Sequence, residues 1–421
     1  MPRIRWQEGG DMVRVAIQGD IGQQAYHVGD EAMVHAAVEQ FARRGIDSVV
    51  LLTRDQAQTR QHFGAQVDAA PTLVFPWPPA DRERYLGEIR SVVAGRADAL
   101  PASDQVFGII ETLRGVDALF IAGGGNMNSR YGWLLHERAA MAHIAARLGK
   151  PVVIGGQTLG PELSDTDRET LAELLTRASL VGLREADSLE LARELVPDHP
   201  GLRAVLDDAS DLPDPTPAVA PATRPTIAAT FSPPEATPQP LAARAYARLL
   251  DVAAAHLGAE VSFLPHMAVP GTGDGDEAFH ARVAEHLSVP AELRPIASAL
   301  ETAARTRDAA AVVTSRYHPV VFAWAAGKPA IAVAPDEYTW VRLAGALERF
   351  GRRSQVPTLE ELVAVDSVLA EWLEPLSQPV RRPEPQLLAA QEQWWDDVVE
   401  ALQAAARRGP RRRRFGWRRR R

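Results

Sequence analysis

Residues 12–52, MVRVAIQGDIGQQAYHVGDEAMVHAAVEQFARRGIDSVVLL, carry the reading that decides the fold. Met12–Gln18 is an apolar run of strand length. Within Ala32–Arg43, residues Met33, Val34, Ala37, Val38 and Phe41 recur at the spacing of one helix face, and the pattern stops near Gly45. Ser48–Leu52 is a second apolar run with the β-branched content of a buried strand. Strand, helix and strand with short connections predict a right-handed crossover between parallel strands.

The same rhythm continues along the chain. Ala118–Ala122, Val152–Ile154 and Leu180–Leu183 read as strands, with helical spacing over Trp133–Arg147 and Asp165–Arg177. Ser164, with Asp167 three residues on, has the form of a helix start. The rhythm breaks at Asp211–Pro225, DLPDPTPAVAPATRP, where the prolines remove backbone donors and oppose a helix. It restarts with strands at Thr226–Phe231, Glu260–Leu264, Ala311–Thr314 and Ala330–Val333, separated by helices at Leu241–Leu257, Leu300–Arg307 and Val320–Ala326. A chain of 421 residues is too long for one core. The expected fold is therefore α/β, with two Rossmann-like domains facing across a cleft. We expect domains at 1–208 and 226–375, joined by a Pro-rich linker at 209–225. A helical segment (376–406) follows, in which Trp394 and Trp395 could pack back across the halves, then an Arg-rich tail (407–421).

Composition narrows the function classes. Cysteine is absent, which excludes disulfides, thiolate nucleophiles and Cys-ligated zinc. The start, Met1–Gly10, lacks the apolar core of a signal peptide, and no later apolar run reaches the ~18 residues of a membrane helix. The cytoplasm is the expected compartment. The net charge of −8 hides an asymmetry: ten of the 46 basic residues lie in Arg407–Arg421, leaving 36 against 54 acidic ones. An acidic body is a poor match for nucleic acid, and none is expected as a partner. Arg411–Arg414 and Arg418–Arg421 read either as a solvated end or as a peripheral contact with an anionic membrane, to which Phe415 and Trp417 would be suited.

In open parallel sheets, ligands bind at the carboxyl ends of the strands. After the first strand comes Gly19-Asp20-Ile21-Gly22, then Gly29-Asp30-Glu31 opening a helix, where Asp30 reads as an N-cap or as a ligand contact. The spacing is not that of a dinucleotide-binding turn. Gly123-Gly124-Gly125-Asn126 and Gly155-Gly156-Gln157 follow two further strands, each either a nest of N–H groups for a ligand or a tight turn. Arg184 follows Leu180–Leu183, where a guanidinium can reach the cleft and grip a carboxylate or phosphate, or else pair with Glu185 or Asp187. The sharpest stretch is Thr314-Ser315-Arg316-Tyr317-His318-Pro319, between a buried strand and a helix. There Arg316 and His318 pair an anion clamp with a proton donor.

This order of motifs resembles the polysaccharide pyruvyl transferase family over about residues 12–350. The Ser315-Arg316-Tyr317-His318 stretch leading into Ala325-Ala326-Gly327-Lys328-Pro329 is its most specific part. The resemblance implies a fold like that of GT-B glycosyltransferases and transfer of the enolpyruvyl unit of phosphoenolpyruvate to two sugar hydroxyls, giving a pyruvate ketal. It implies that Arg184 and Arg316 bind the donor's phosphate and carboxylate, with His318 as general acid. Gly29, Asp30, Glu31, Gly124, Gly125, Asn126, Gln157 and Ser315 complete the expected substrate site. The acceptor would be a glycan or lipid-linked glycan. The chain departs from the family at Gly19–Val28, GDIGQQAYHV, where a compact Gly-Asn-x-Gly-Asp-Glu is more usual. Phosphoenolpyruvate is small and anionic, so arginines suffice for it; no cofactor is expected, and no metal. Two alternatives are a glycosyltransferase using a nucleotide-sugar, for which Asp336-Glu337 would hold the ribose, and an inactive member that only binds.

Overall fold

The computed structural model describes residues 13–46, 48–64, 67–215, 218, 224–378 and 383–406. The first half runs β1 (Arg14–Gln18), β2 (Tyr26–His27), α1 (Val28–Arg43), β3 (Ser48–Thr53), α2 (Gln56–Phe63), β4 (Asp68–Pro71), α3 (Pro79–Val93), α4 (Gln105–Arg114), β5 (Ala118–Ile121), β6 (Gly124–Met127), α5 (Gly132–Arg147), β7 (Val152–Leu159), α6 (Asp165–Arg177), β8 (Leu180–Leu183), α7 (Ala186–Leu195) and β9 (Leu202–Ala204). The second half runs β10 (Thr226–Thr230), α8 (Gln239–Leu257), β11 (Glu260–Phe263), β12 (Met267–Ala268), α9 (Asp276–Ala284), β13 (Ala291–Leu293), α10 (Ala299–Asp308), β14 (Ala311–Thr314), α11 (Tyr317–Ala325), β15 (Ala330–Ala332), α12 (Glu337–Glu348), α13 (Leu359–Ala364), α14 (Ala370–Ser377) and α15 (Pro385–Ala406).

The strands form two parallel sheets, as the continuous apolar runs require when both faces are covered by helices. The first has the order β4-β3-β1-β5-β7-β8-β9, with β6 beside β7; the second has the order β13-β11-β10-β14-β15. In the first sheet Val15 lies between Val49 and Ala118. In the second, Ile227 lies between Val261 and Ala311. The order reverses at β1 and β5 in one sheet and at β10 and β14 in the other, so crevices open at the carboxyl ends of those strands.

Helix α1 is shared by both halves. Val34, Ala37 and Phe41 pack on the first sheet, while Val28, Ala32 and Met33 join a cluster with Ala299, Ala303, Val320 and Leu343 of the second half. A short antiparallel ribbon pairs His27 with Met267 and Tyr26 with Ala268 across the same seam. Ala209 and Leu212, read from sequence as linker, are buried in the shared cluster, next to a 3-10 turn at Asp208–Asp211. Helix α15 returns to the first sheet: Trp395 packs edge-on to Phe41 and tilted against Phe120, and its indole donates to Asp211 (2.8 Å).

Ser164 does cap α6, accepting from the Asp167 N–H at 3.2 Å. Asp30 does not cap α1, and that reading is corrected: the helix begins at Val28, and His27 at the cap position offers no side-chain bond. The β2–β12 pairing sets the helix start instead, with the Val28 N–H bonded to the His266 carbonyl at 3.0 Å. No described helix is long and apolar enough to cross a membrane. The Arg-rich tail lies outside the described residues.

Candidate active site at the seam between the halves

β14 ends at Thr314, and Ser315 and Arg316 form the turn into α11. The Thr314 hydroxyl holds that turn, donating to the Thr230 carbonyl (3.0 Å) and accepting from the Arg316 N–H (2.8 Å). Ser315 accepts from the Ser232 N–H at 2.9 Å, which ties together the exits of the neighbouring strands β10 and β14. It therefore acts on the scaffold rather than facing the crevice. Arg316 forks onto Asp276 through Nε and Nη2. That carboxylate is fully buried and also accepts from the His266 and Met267 N–H groups, both at 3.0 Å.

His318, in the first turn of α11, lies against α1 of the other half. A Cβ on Gly29 would stand 1.9 Å from its Nδ1, so only glycine admits the ring. Its Nε2 is buried without a hydrogen-bond partner, with Asp207 Oδ2 at 3.8 Å, beyond bonding distance. Burial pushes the imidazole pKa down to about 4; Arg184 and Arg342 push the same way, against Asp207 and Asp30. At neutral pH the ring is uncharged in the free protein.

Arg184 leaves β8 as the sequence predicts, but its side chain is fully buried. Nε donates to Thr158 (2.9 Å) and Glu185 (3.1 Å), and Nη1 to Asp207. Tyr317 lies over the guanidinium at 4.1 Å and donates to Glu185 at 2.9 Å. The in-chain pairing with Glu185 is thus realised, and Nη2 alone remains without a partner.

The two glycine-rich exits converge on an anion the protein supplies itself. Gly123 N–H and Gly156 N–H donate to the two oxygens of Asp208, at 2.9 and 3.0 Å. The nest reading of these exits is corrected accordingly, because Asp208 occupies them. Burial pushes its carboxyl up to about 7, against those two N–H bonds. Gly124, Gly125 and Asn126 form β6 rather than a turn. Gly124 lies close to Gln157, whose amide donates to the Ala122 carbonyl at 2.6 Å. Gln157 Oε1 and Asn126 Oδ1 are buried without partners. The absent side chain of Gly125 makes room for Arg342 of α12, since a Cβ there would stand 2.7 Å from its guanidinium. Arg342 lies over Tyr317 at 5.0 Å, with its Nε unpartnered.

In the first turn of α1, Asp30 faces His27 Nδ1 at 3.3 Å, and Glu31 turns inward to accept from the Gly22 N–H at 3.3 Å. Burial pushes Glu31 up to about 8, and Asp30 and Asp20 add to that.

The structure thus brings His318, Arg184, Gly29, Asp30 and Gly125 to one seam, whereas Arg316 is committed to Asp276 at its edge. Sequence reading missed Asp207, Tyr317 and Arg342. Asp207 stands just beyond β9 and could have been found by reading that exit as the others were. Arg342 gave no signal, because on a helix surface one arginine looks like any other. Of Asp336-Glu337, the pair considered for a ribose, Asp336 instead caps α12 through Thr339 (2.7 Å) and pairs with Arg130 (3.0 Å).

A search among curated proteins finds no match. Among solved structures, a putative UDP-N-acetylglucosamine 2-epimerase from Listeria monocytogenes superposes with a TM-score of 0.58 at 12% identity, covering 94% of this chain and 97% of that one. The UDP-GlcNAc 2-epimerase from Neisseria meningitidis, bound to UDP-GlcNAc, gives 0.57 at 11% identity, covering 93% and 100%. At such identities the likeness shows the fold alone, two facing α/β halves of the GT-B kind. The model of the polysaccharide pyruvyl transferase family matches residues 27–337, from β2 to the first residue of α12, and so includes Arg184, Asp207 and His318. The chain belongs to the polysaccharide pyruvyl transferase family.

Proposed function

We propose that the chain moves the enolpyruvyl unit of phosphoenolpyruvate onto two hydroxyls of a sugar in a cell-surface polysaccharide or its lipid-linked precursor, forming a pyruvate ketal, in the cytoplasm. One observation carries the reading furthest. His318 Nε2 of the second half and Arg184 Nη2 of the first are both buried and unpartnered, as is Arg342 Nε. A buried polar atom left open costs about 1–3 kcal/mol, which a bound ligand contacting it would relieve. A small polyanion with a carbon to be protonated is such a ligand.

In this reading the arginines hold the donor's phosphate and carboxylate. The first sugar oxygen bonds to C2, while the C2–C3 π pair takes a proton from His318 and C3 becomes the methyl group. The C2–O bond to phosphate then breaks and the phosphate leaves with the electron pair. The second sugar oxygen bonds to C2 in its place. Of the two hydroxyl protons, one ends on the methyl carbon by way of the imidazole and the other on phosphate. His318 is neutral when free, so its proton must arrive with the donor, whose negative charge raises the imidazole pKa. This donor chemistry asks for no cofactor. A lipid-linked acceptor would bring the protein to a membrane surface, where the Arg-rich end would add attraction.

The test is His318→Gln. Phosphoenolpyruvate binding, measured by calorimetry, should persist, while turnover falls by about 10²–10⁴-fold, the range for general acid catalysis. Phosphate release with candidate glycans, or solvent deuterium entering the donor's methylene group, reads the turnover. Deuterium exchange at the wild-type rate in the variant would remove His318 from the chemistry.

A further inference from the structure

Gly19–Val28, where the chain departs from its family, gathers ligands that no step above uses. Asp20 stands two residues past β1, His27 lies in β2, and Asp30 is in the first turn of α1. One ligand atom from each lies within 4.8 Å of the other two. His27 Nδ1 and Asp30 Oδ2 are 3.3 Å apart. Neighbouring ligands of an ion bound at ~2.1 Å stand roughly 3.0–3.4 Å apart, so the remaining pairs, at up to 4.8 Å, would close on an ion by as much as about 1.4–1.8 Å.

The surrounding charge is of both signs: Arg54 and Arg138 act on Asp20, Arg138 on Asp30 and Arg316 on His27, against Glu31 and Glu137. Arg54 reaches Asp20 only at 3.4 Å and is held more closely by Glu137, at 2.8 Å. Arg138 is buried near both aspartates, yet its own bond runs to the Leu134 carbonyl at 3.1 Å. A second observation is independent of the three ligands. Glu31, only 3% exposed, turns its carboxylate into the loop that Asp20 leads, where one oxygen takes a long bond from Gly22. Its other oxygen is buried with no partner. A buried carboxyl oxygen left without a partner costs about 1–3 kcal/mol, so the loop holds a polar position still open to a ligand.

We propose that Asp20, His27 and Asp30 bind a divalent transition-metal cation, with Glu31 in the shell behind it. Two carboxylates and one imidazole form a mixed hard and borderline set, which suits Mn²⁺ or Zn²⁺ better than Ca²⁺. Three protein ligands leave coordination positions open, as in sites that bind a reactant. The side chains of His27 and Asp30 are each 24% exposed, so those positions are open to solvent. There they can take water or the vicinal oxygens of a polyol. The site lies one residue from Gly29, against which His318 packs, and its existence does not depend on the pyruvyl-transfer reading.

The experiment uses the full chain stripped of metal with EDTA. Mn²⁺ is titrated by electron paramagnetic resonance and Zn²⁺ by calorimetry. One ion per chain is expected, and the Mn²⁺ echo-modulation spectrum should carry the nitrogen coupling of one imidazole. His27→Gln and Asp20→Asn should each weaken binding at least about tenfold, while Glu169→Gln, exposed on α6, leaves it unchanged. Should either variant fail to fold, the nitrogen coupling in the wild type still decides. Absence of a stoichiometric site for both ions, a Mn²⁺ spectrum without nitrogen coupling, or unchanged affinity in folded His27→Gln would overturn the proposal.

Discussion

His318 shows how much of a residue's chemistry its neighbours set. From its sequence position it reads as a near-neutral histidine whose neighbouring arginines lower its pKa, leaving the charged form dependent on the bound donor. Burial, with Arg184 and Arg342 nearby, takes its pKa to about 4, so it can act as an acid only after an anion arrives. Donor binding near pH 7 should therefore take up a proton. Calorimetric enthalpies in two buffers of different ionisation heat will measure it, and uptake should vanish in His318→Gln; proton release on binding would contradict the mechanism. Asp208 gives a second test at this scale. Its folded pKa is raised to about 7, above the value of 3.8 expected when unfolded. The native state therefore binds the extra proton, and its contribution to stability is present in acid and lost as pH rises from about 4 to 7. Denaturant unfolding of the wild type and Asp208→Asn should show the wild type's advantage shrinking over that window. An advantage that grows with pH would mean that the Gly123 and Gly156 N–H groups hold the carboxylate ionised.

At the scale of elements, the start of α1 is where local preference yields to packing. Asp30 invites a cap, yet ribbon pairing with β12 begins the helix at Val28 and places Gly29 inside the first turn. Gly29 has no left-handed backbone to justify it; the reason for glycine is the His318 ring. Gly29→Ala should therefore destabilise by about 1–3 kcal/mol, the range for overpacking, and abolish turnover by displacing the imidazole. In a His318→Ala background the same change should become neutral, or stabilising by up to about 1 kcal/mol through helix propensity. Thermal unfolding of the four proteins closes the cycle, and an equal cost in both backgrounds would break the assigned contact.

The whole molecule is stitched rather than hinged in this arrangement. Besides the ribbon, Tyr338 bonds the Gly125 carbonyl at 2.5 Å, Tyr317 bonds Glu185, and Arg349 reaches the Arg184 and Val205 carbonyls at 3.2 and 3.0 Å. We place the domain boundary in 213–225, beyond the buried Leu212 and before β10. Limited proteolysis should cut there before cutting either sheet, because proline-rich chain has few backbone donors to protect it. A first cut between β5 and β7 would argue for a different division.

The sequence by itself determined two parallel sheets and their central strands, with His318 and Arg184 at strand exits; β4, β6, β9 and β13 carried no apolar run that marked them. Hydrophobic periodicity and strand length are local properties, and the rule that ligands gather at carboxyl ends needs only those. Tertiary structure alone decided which groups those residues face. Arg184 is held by Asp207 from a neighbouring strand exit, the glycine-rich exits are filled by Asp208, and Arg342 enters at Gly125 from the other half. It likewise drew Tyr26 and His27, at the end of the Gly19–Val28 stretch, into the short ribbon that joins the halves. These are contacts between residues tens to hundreds of positions apart, and a protonation state or an open hydrogen bond exists only once such partners have met. Local pattern carries no information about them.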